Sequence, residues 1–185
     1  MAVTSLDLKS IWTGGQNYAQ WFAAIKNPHM RTEMERIDSE IAIPDAVAAK
    51  LKALKRAVHV LAIIEDWCGD VRRNAPVLAK LCALNPEKLR LRCVDKETKP
   101  ELMVRYLTNA AEAIPLFVFF SETFVEIGNW GPRPAECKRL MARGKAAGKI
   151  DDAREKIHAY YANDKHQSTI AEIVALIDIA SAEEV

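Results

Sequence analysis

Seven consecutive residues, Val58-His59-Val60-Leu61-Ala62-Ile63-Ile64, leave this chain few folds to choose from. The run has the length of a strand, is rich in β-branched side chains and does not alternate, which is the pattern of a central strand covered on both faces. Helices are what cover such a strand, so the run points to an α/β layer structure. It ends at Glu65-Asp66-Trp67-Cys68-Gly69-Asp70, after which Val77, Leu78, Leu81 and Leu84 continue at helical spacing. Pro76 inside that stretch predicts a kink. Leu89-Arg90-Leu91-Arg92-Cys93-Val94-Asp95 then alternates with period two, and reads as the second strand of a right-handed βαβ unit, parallel to the first.

Ahead of the run, Tyr18, Trp21, Phe22 and Ile25 share one side of a short helix, and Met30, Met34, Ile37 and Ile41 continue a helical spacing between Pro28 and Pro44. Val47, Leu51 and Leu54 predict a third helix, with Pro44 and Asp45 suited to its first turn. Beyond the βαβ unit, Thr98 and Glu101 form a candidate capping box for a helix through Leu102, Met103, Tyr106 and Leu107. Ile114-Pro115 precedes the apolar run Leu116–Phe120, and a turn at Ser121-Glu122 leads to residues 123–127. These segments predict an antiparallel hairpin, ended by residues 128–132. A helix opened by Pro134 runs through Leu140 and Met141, and another places Ile150, Ala153, Ile157 and Tyr160 on one face. Thr169 and Glu172 read as the cap of a last helix, whose Ile170, Ile173, Val174 and Ile177 form an apolar stripe.

Charge and hydropathy remove several classes of function. Lys and Arg number 26 against 25 Asp and Glu, and a net charge of +1 provides no global field to recruit nucleic acid or an anionic membrane. No apolar stretch approaches the ~18 residues of a membrane span. The opening MAVTSLDLKSIWTGG lacks the basic and apolar regions of a secretory leader, so the expected setting is the cytoplasm, with neither nucleic acid nor membrane as partner. Lys138, Arg139, Arg143, Lys145 and Lys149 lie in an acid-free stretch that suits a phosphate or nucleic acid, although a solvated helix face explains it more simply. Residues 129–134, NWGPRP, read as a recognition loop built on Trp130 or as a rigid turn whose Trp packs against added helices. The second is favoured, because an exposed Trp is costly. A chain of 185 residues does not need disulfide staples, and its four cysteines and four histidines show no metal-ligand spacing, so neither bridges, metal nor cofactor is expected.

Cys68 stands apart from Cys82, Cys93 and Cys137. It lies between a buried strand and a helix, where backbone N–H groups and the helix dipole converge on an anion and can lower a thiol pKa from ~8.5 to as little as ~3.5. Glu65, Asp66 and Asp70 crowd the same residues with negative charge and push the other way. Arg72 and Arg73, one turn on, are candidates to offset them. The other three cysteines sit within elements and read as small buried hydrophobes.

Trp67-Cys68-Gly69-Asp70-Val71, followed by Ala75-Pro76, resembles the active-site segment of the thioredoxin family, W-C-G-P-C with A-P at the same spacing. Ile114-Pro115 is similar to that family's cis-proline segment, and Gly128 to its terminal hairpin. The resemblance covers residues 46–141, and E-D-W-C-G-D with N-W-G-P-R-P, with helices added at both ends, resembles a bacterial thioredoxin-like subgroup. It implies a thioredoxin-like α/β sandwich with a four-stranded mixed sheet over residues 46–147, with an N-terminal helical extension in 1–45 and a C-terminal one in 148–185, the latter expected to be packed on the domain because its apolar stripe would otherwise face water. It implies Cys68 as the catalytic thiol, with Trp67, Gly69, Asp70, Ile114 and Pro115 binding an extended substrate beside it. Three departures from the pattern limit the chemistry, the first being Asp70 in place of the proline between the two cysteines. Val71 replaces the second cysteine, which would resolve a mixed disulfide, and Ala62 stands where thioredoxins commonly keep a buried acid. The expectation is therefore single-thiol exchange with protein or small-molecule thiols and disulfides. A redox-inactive module that binds through the Pro115 groove is the alternative, and a monothiol iron–sulfur site is a third reading resting on the single cysteine alone.

Overall fold

Among the described residues, 6–108 and 111–183 of this computed structural model, four helices lead into the first strand. Asp7 caps α1 (Leu8–Thr13) by accepting the Ser10 N–H at 3.0 Å. Asn17 and Gln20 form a reciprocal capping box on α2 (Tyr18–Ala23), Asn27 caps α3 (Pro28–Glu40), and α4 (Asp45–Lys52) carries its acid at the N-terminus and its lysines in the last turn, as the helix dipole favours. Trp21, Ile25, Met30, Met34, Ile37, Ile41 and Leu51 are the buried members of these apolar stripes.

The apolar run forms β1 (Val58–Ile64), and all seven of its residues are buried. α5 (Gly69–Ala83) continues through Pro76, β2 (Leu89–Asp95) returns parallel to β1, and α6 (Pro100–Arg105) leads toward β3 (Leu116–Phe120) and β4 (Glu126–Trp130). The sheet order is β2-β1-β3-β4, with β3 antiparallel to both β1 and β4, the expected mixed four-stranded α/β sandwich. Gln16 covers the outer edge of β2 by exchanging backbone hydrogen bonds of 2.9 and 2.7 Å with Cys93, so that edge offers no free ladder there.

Three helices complete the chain: α7 (Ala135–Ala146), α8 (Ile150–Asp164) and α9 (Gln167–Ser181). The stripe of α9 is buried on β1, β3, β4 and α5, so Ile170, Ile173, Val174 and Ile177 belong to the same core as the strands. α7 and α8 pack on each other around Cys137, Ile157 and Tyr161. Their approach requires Gly144, where a Cβ would come within 2.4 Å of the Ala153 Cβ.

Four local expectations are corrected. Thr98 is not an N-cap: its hydroxyl donates to the Asp95 carbonyl at 2.9 Å within a short 3-10 turn, and α6 starts at Pro100. Thr169 and Glu172 lie inside α9, which starts at Gln167; Thr169 is buried, and Glu172 instead accepts from the Trp130 indole and the Ala135 N–H. β4 occupies Glu126–Trp130 rather than 123–127, because Phe124 takes a positive φ of 68° in a longer turn. On α8 the buried tyrosine is Tyr161 and not Tyr160.

Candidate functional site

β1 delivers its C-terminal end to a short turn, and Cys68 follows as the N-cap of α5 with extended backbone angles, φ −85° and ψ 121°. Its carbonyl accepts the first helical bond, from Arg72 N–H at 3.0 Å. The half-buried thiol donates to the Ile114 carbonyl at 3.4 Å, and the Ile114–Pro115 peptide beside it is cis. The sulfur thus sits between the first turn of α5 and the segment that opens β3.

Burial is the main influence on this thiol and pushes it above the ordinary thiol range. Backbone N–H groups of Val71 and Asp70 pull it down, Asp70's charge raises it, and Arg133 lowers it. The helix terminus therefore acts as the sequence predicts but is outweighed by desolvation. The offsetting cation is Arg133 rather than Arg72 or Arg73. Its Nε donates to Asp70 at 2.9 Å, and a second guanidinium nitrogen lies 2.5 Å from the other carboxylate oxygen, a bidentate clasp between α5 and the loop after β4.

The residues singled out from the sequence fall into four environments. Ile114 and Pro115 are buried against the thiol, whereas Trp67 is 59% exposed at the rim. Gly69 faces open space, with nothing within 4 Å of where a Cβ would stand. Asp70 is committed to Arg133. Val71, one turn after Cys68, is fully buried. The other thiols are buried as well: desolvation pushes Cys82 and Cys137 up to about 12, and it raises Cys93 too. All four cysteines are free thiols.

Sequence reasoning missed two residues that hold this site together. Arg133 was hidden between prolines in a segment that reads as a turn. Asn74 is fully buried on α5: its amide nitrogen reaches the Asp70 carbonyl (3.0 Å), the Pro132 carbonyl (3.3 Å) and the Tyr161 hydroxyl (3.1 Å), while its oxygen accepts from Thr169 (3.2 Å). One side chain thus joins α5, the loop after β4, α8 and α9. A buried Asn in an apolar helix is the available signal, since such an amide needs partners. Trp130 is the buried side of the NWGPRP segment, stacked on Phe117 at 5.3 Å and bonded to Glu172 at 2.7 Å, so it is a packing residue.

Comparison with known proteins agrees with this architecture. Two crystal structures share the fold, each covering 92% of this chain and 96% of the other: a protein of unknown function from Pseudomonas aeruginosa (22% identity, TM-score 0.71) and an HIV epitope-scaffold (20% identity, TM-score 0.68). Comparison with curated proteins found no match. A family model described as Thioredoxin matches residues 16–168, most of the chain, and this chain belongs to the thioredoxin family.

Proposed function

We propose that this protein acts through one thiol, Cys68, forming mixed disulfides with protein or small-molecule partners in a reducing compartment such as the cytoplasm. The observation that carries the reading is the placement of Cys68. It is the only described cysteine that is not buried, it lies at a helix N-terminus against the Ile114–Pro115 segment, and a buried valine stands where a resolving thiol would be. Cys68 gives its proton to solvent, its thiolate attacks one sulfur of a disulfide, and the S–S bond breaks as the other sulfur leaves and takes up a proton. An external thiol then attacks the mixed disulfide, forms a new disulfide with the bound group and returns Cys68 to its thiol state. A thiol raised by burial attacks slowly near neutrality, yet it is also a poor leaving group, so its mixed disulfide is long-lived. This reading is of a capped or trapping thiol rather than a fast reductase.

The same raised thiol, together with exposed Trp67 at the rim, favours as a second reading a redox-inactive module that holds an extended segment beside Pro115. Alkylation of each cysteine, followed by mass spectrometry against pH, separates the two. Single-thiol chemistry predicts modification of native protein confined to Cys68, with a rate that climbs with pH and does not level off at or below the free-thiol value of ~8.5. Four equally sluggish thiols would favour the binding module.

A further inference from the structure

Beside Cys68, a cavity of about 260 Å³ opens between the first turn of α5 and α8, and Asp70, Arg72, Arg73, Arg133, Arg154 and His158 give it its polar wall. Four guanidiniums around one cavity repel each other unless something answers them. Two carboxylates do so in part: Asp70 clasps Arg133, and exposed Asp151 meets Arg154 at 2.8 Å. Among the described residues Arg72 and Arg73 form no ion pair. Glu33, within Coulombic reach of Arg72, is hydrogen-bonded to Arg36, which Glu40 also engages, so Glu33 answers Arg72 only at a distance. The Arg72 Nε is buried without a hydrogen-bond partner.

Arg73 is half-buried, with its Cζ 5.2 Å from the centroid of the Tyr161 ring, and it lies 2.8 Å from His158 Nδ1. Arginine can only donate, so that nitrogen accepts and carries no proton. His158 is accordingly held below its usual range by Arg73's charge, and Arg73 is itself pushed down by burial. The wall is left with two arginines outside any ion pair: Arg72, which has only the more distant charge of Glu33 to answer it, and Arg73, which is partly desolvated. Guanidinium forks take carboxylates bidentately, and a charged cleft concentrates ligands of opposite sign.

From this geometry we propose that the cavity is an anion subsite that seats the carboxylates of a small acidic thiol or disulfide whose sulfur reacts at Cys68. The assignment rests on the single-thiol reading. Gly69 and Asp70 form part of the cavity wall and are the next two residues after Cys68. At about 3.5 Å per residue, a compound the size of a tripeptide, about 10 Å long when extended, bridges sulfur and cavity. The volume is below the ~300–1,000 Å³ of sites that enclose a whole ligand, so it suits an acidic end whose remainder lies along the groove. Because the arginines come from α5, α8 and the loop after β4, occupancy also ties these elements together.

The test measures how fast Cys68 reacts with an anionic disulfide (oxidised glutathione), a neutral one (2-hydroxyethyl disulfide) and a cationic one (cystamine), each rate divided by that of free cysteine. The expected order is anionic, neutral, cationic, with the anionic probe favoured over the neutral one about tenfold at low salt. Arg154→Glu, Arg73→Met and added salt, which screens charges beyond ~8 Å at physiological strength, should each bring that ratio toward one. Arg154 is exposed, so its variant keeps the test independent of any folding defect at Arg73. A ratio unchanged in both variants overturns the proposal. Should Cys68 react with none of the probes, the single-thiol reading falls, and Cys68→Ser titrated with S-methylglutathione decides the cavity separately. Saturable amide shifts at residues 69–73 and His158, abolished by Arg154→Glu, uphold it. No saturable shift, or tighter binding of inorganic phosphate than of the peptide, overturns it.

Discussion

At Gly131 a backbone atom decides the shape of the site. Its φ is +142°, and a Cβ there would stand 2.0 Å from the Pro115 carbonyl oxygen. Both the backbone angle and the contact exclude any other residue, because an L side chain rarely adopts that angle and the clash is with main chain. Gly131→Ala should lower stability by roughly 2–3 kcal/mol or more, read by chemical denaturation, and displace Pro115 from Cys68. A variant as stable as wild type would mean that the loop after β4 is free to move away from Pro115. Cys68 itself was legible in the sequence from its place between strand and helix, but its thiol was not. Burial, the largest influence on it, depends on how the Ile114–Pro115 segment closes over the sulfur, and no local pattern records that. Arg133 was illegible for a similar reason, since its partner Asp70 lies on another element.

Between elements, α5 is the piece that links chemistry to packing. Asn74 sits one turn beyond Asp70, and its amide serves the Asp70 and Pro132 carbonyls, the Tyr161 hydroxyl and Thr169. Replacing Asn74 with Ala leaves several buried groups unpaired, and at ~1–3 kcal/mol for an unsatisfied group the expected loss is about 3 kcal/mol, with faster amide exchange in α8. Unchanged exchange in α8 would show that the Asn74–Tyr161 bond does not hold that helix. Val71 tests the other side of α5. Three residues after Cys68 it occupies the next turn, so Val71→Cys should form a disulfide with Cys68 under mild oxidant and give at least weak reductase activity on a protein disulfide. Persistence of both thiols in that variant would contradict the reading of Val71 as the missing resolving position. Helices were legible from their 3.6 period, β2 from its period of two, and β1 and β3 from unbroken apolar runs of strand length, whereas the caps of α6 and α9 were not. Thr98 and Thr169 have capping-box spacing, but Thr98 bonds back to Asp95 and Thr169 turns into the core toward Asn74, which are tertiary and turn contacts that compete with capping.

Across the molecule, a thioredoxin sheet supports a site with one accessible thiol, while helices after the hairpin both complete the core and wall the cavity beside it. α9 buries its stripe on β1, β3 and β4, and α8 supplies Arg154 and His158 to the cavity. The apolar stripe of α9 predicted docking, since four such residues would not remain in water. The place of α8 beside the site was not legible, because its one-sided pattern identifies a buried face without naming what lies at its end. In the proposed chemistry Cys68 forms a mixed disulfide that no neighbouring sulfur expels. Native protein incubated with excess 2-hydroxyethyl disulfide at mildly alkaline pH, then read by intact mass, tests this directly. The expected result is one adduct, absent from Cys68→Ser, persistent after removal of the disulfide and reversed by an added thiol. An unmodified native protein, or loss of the adduct with formation of an internal disulfide, would contradict it.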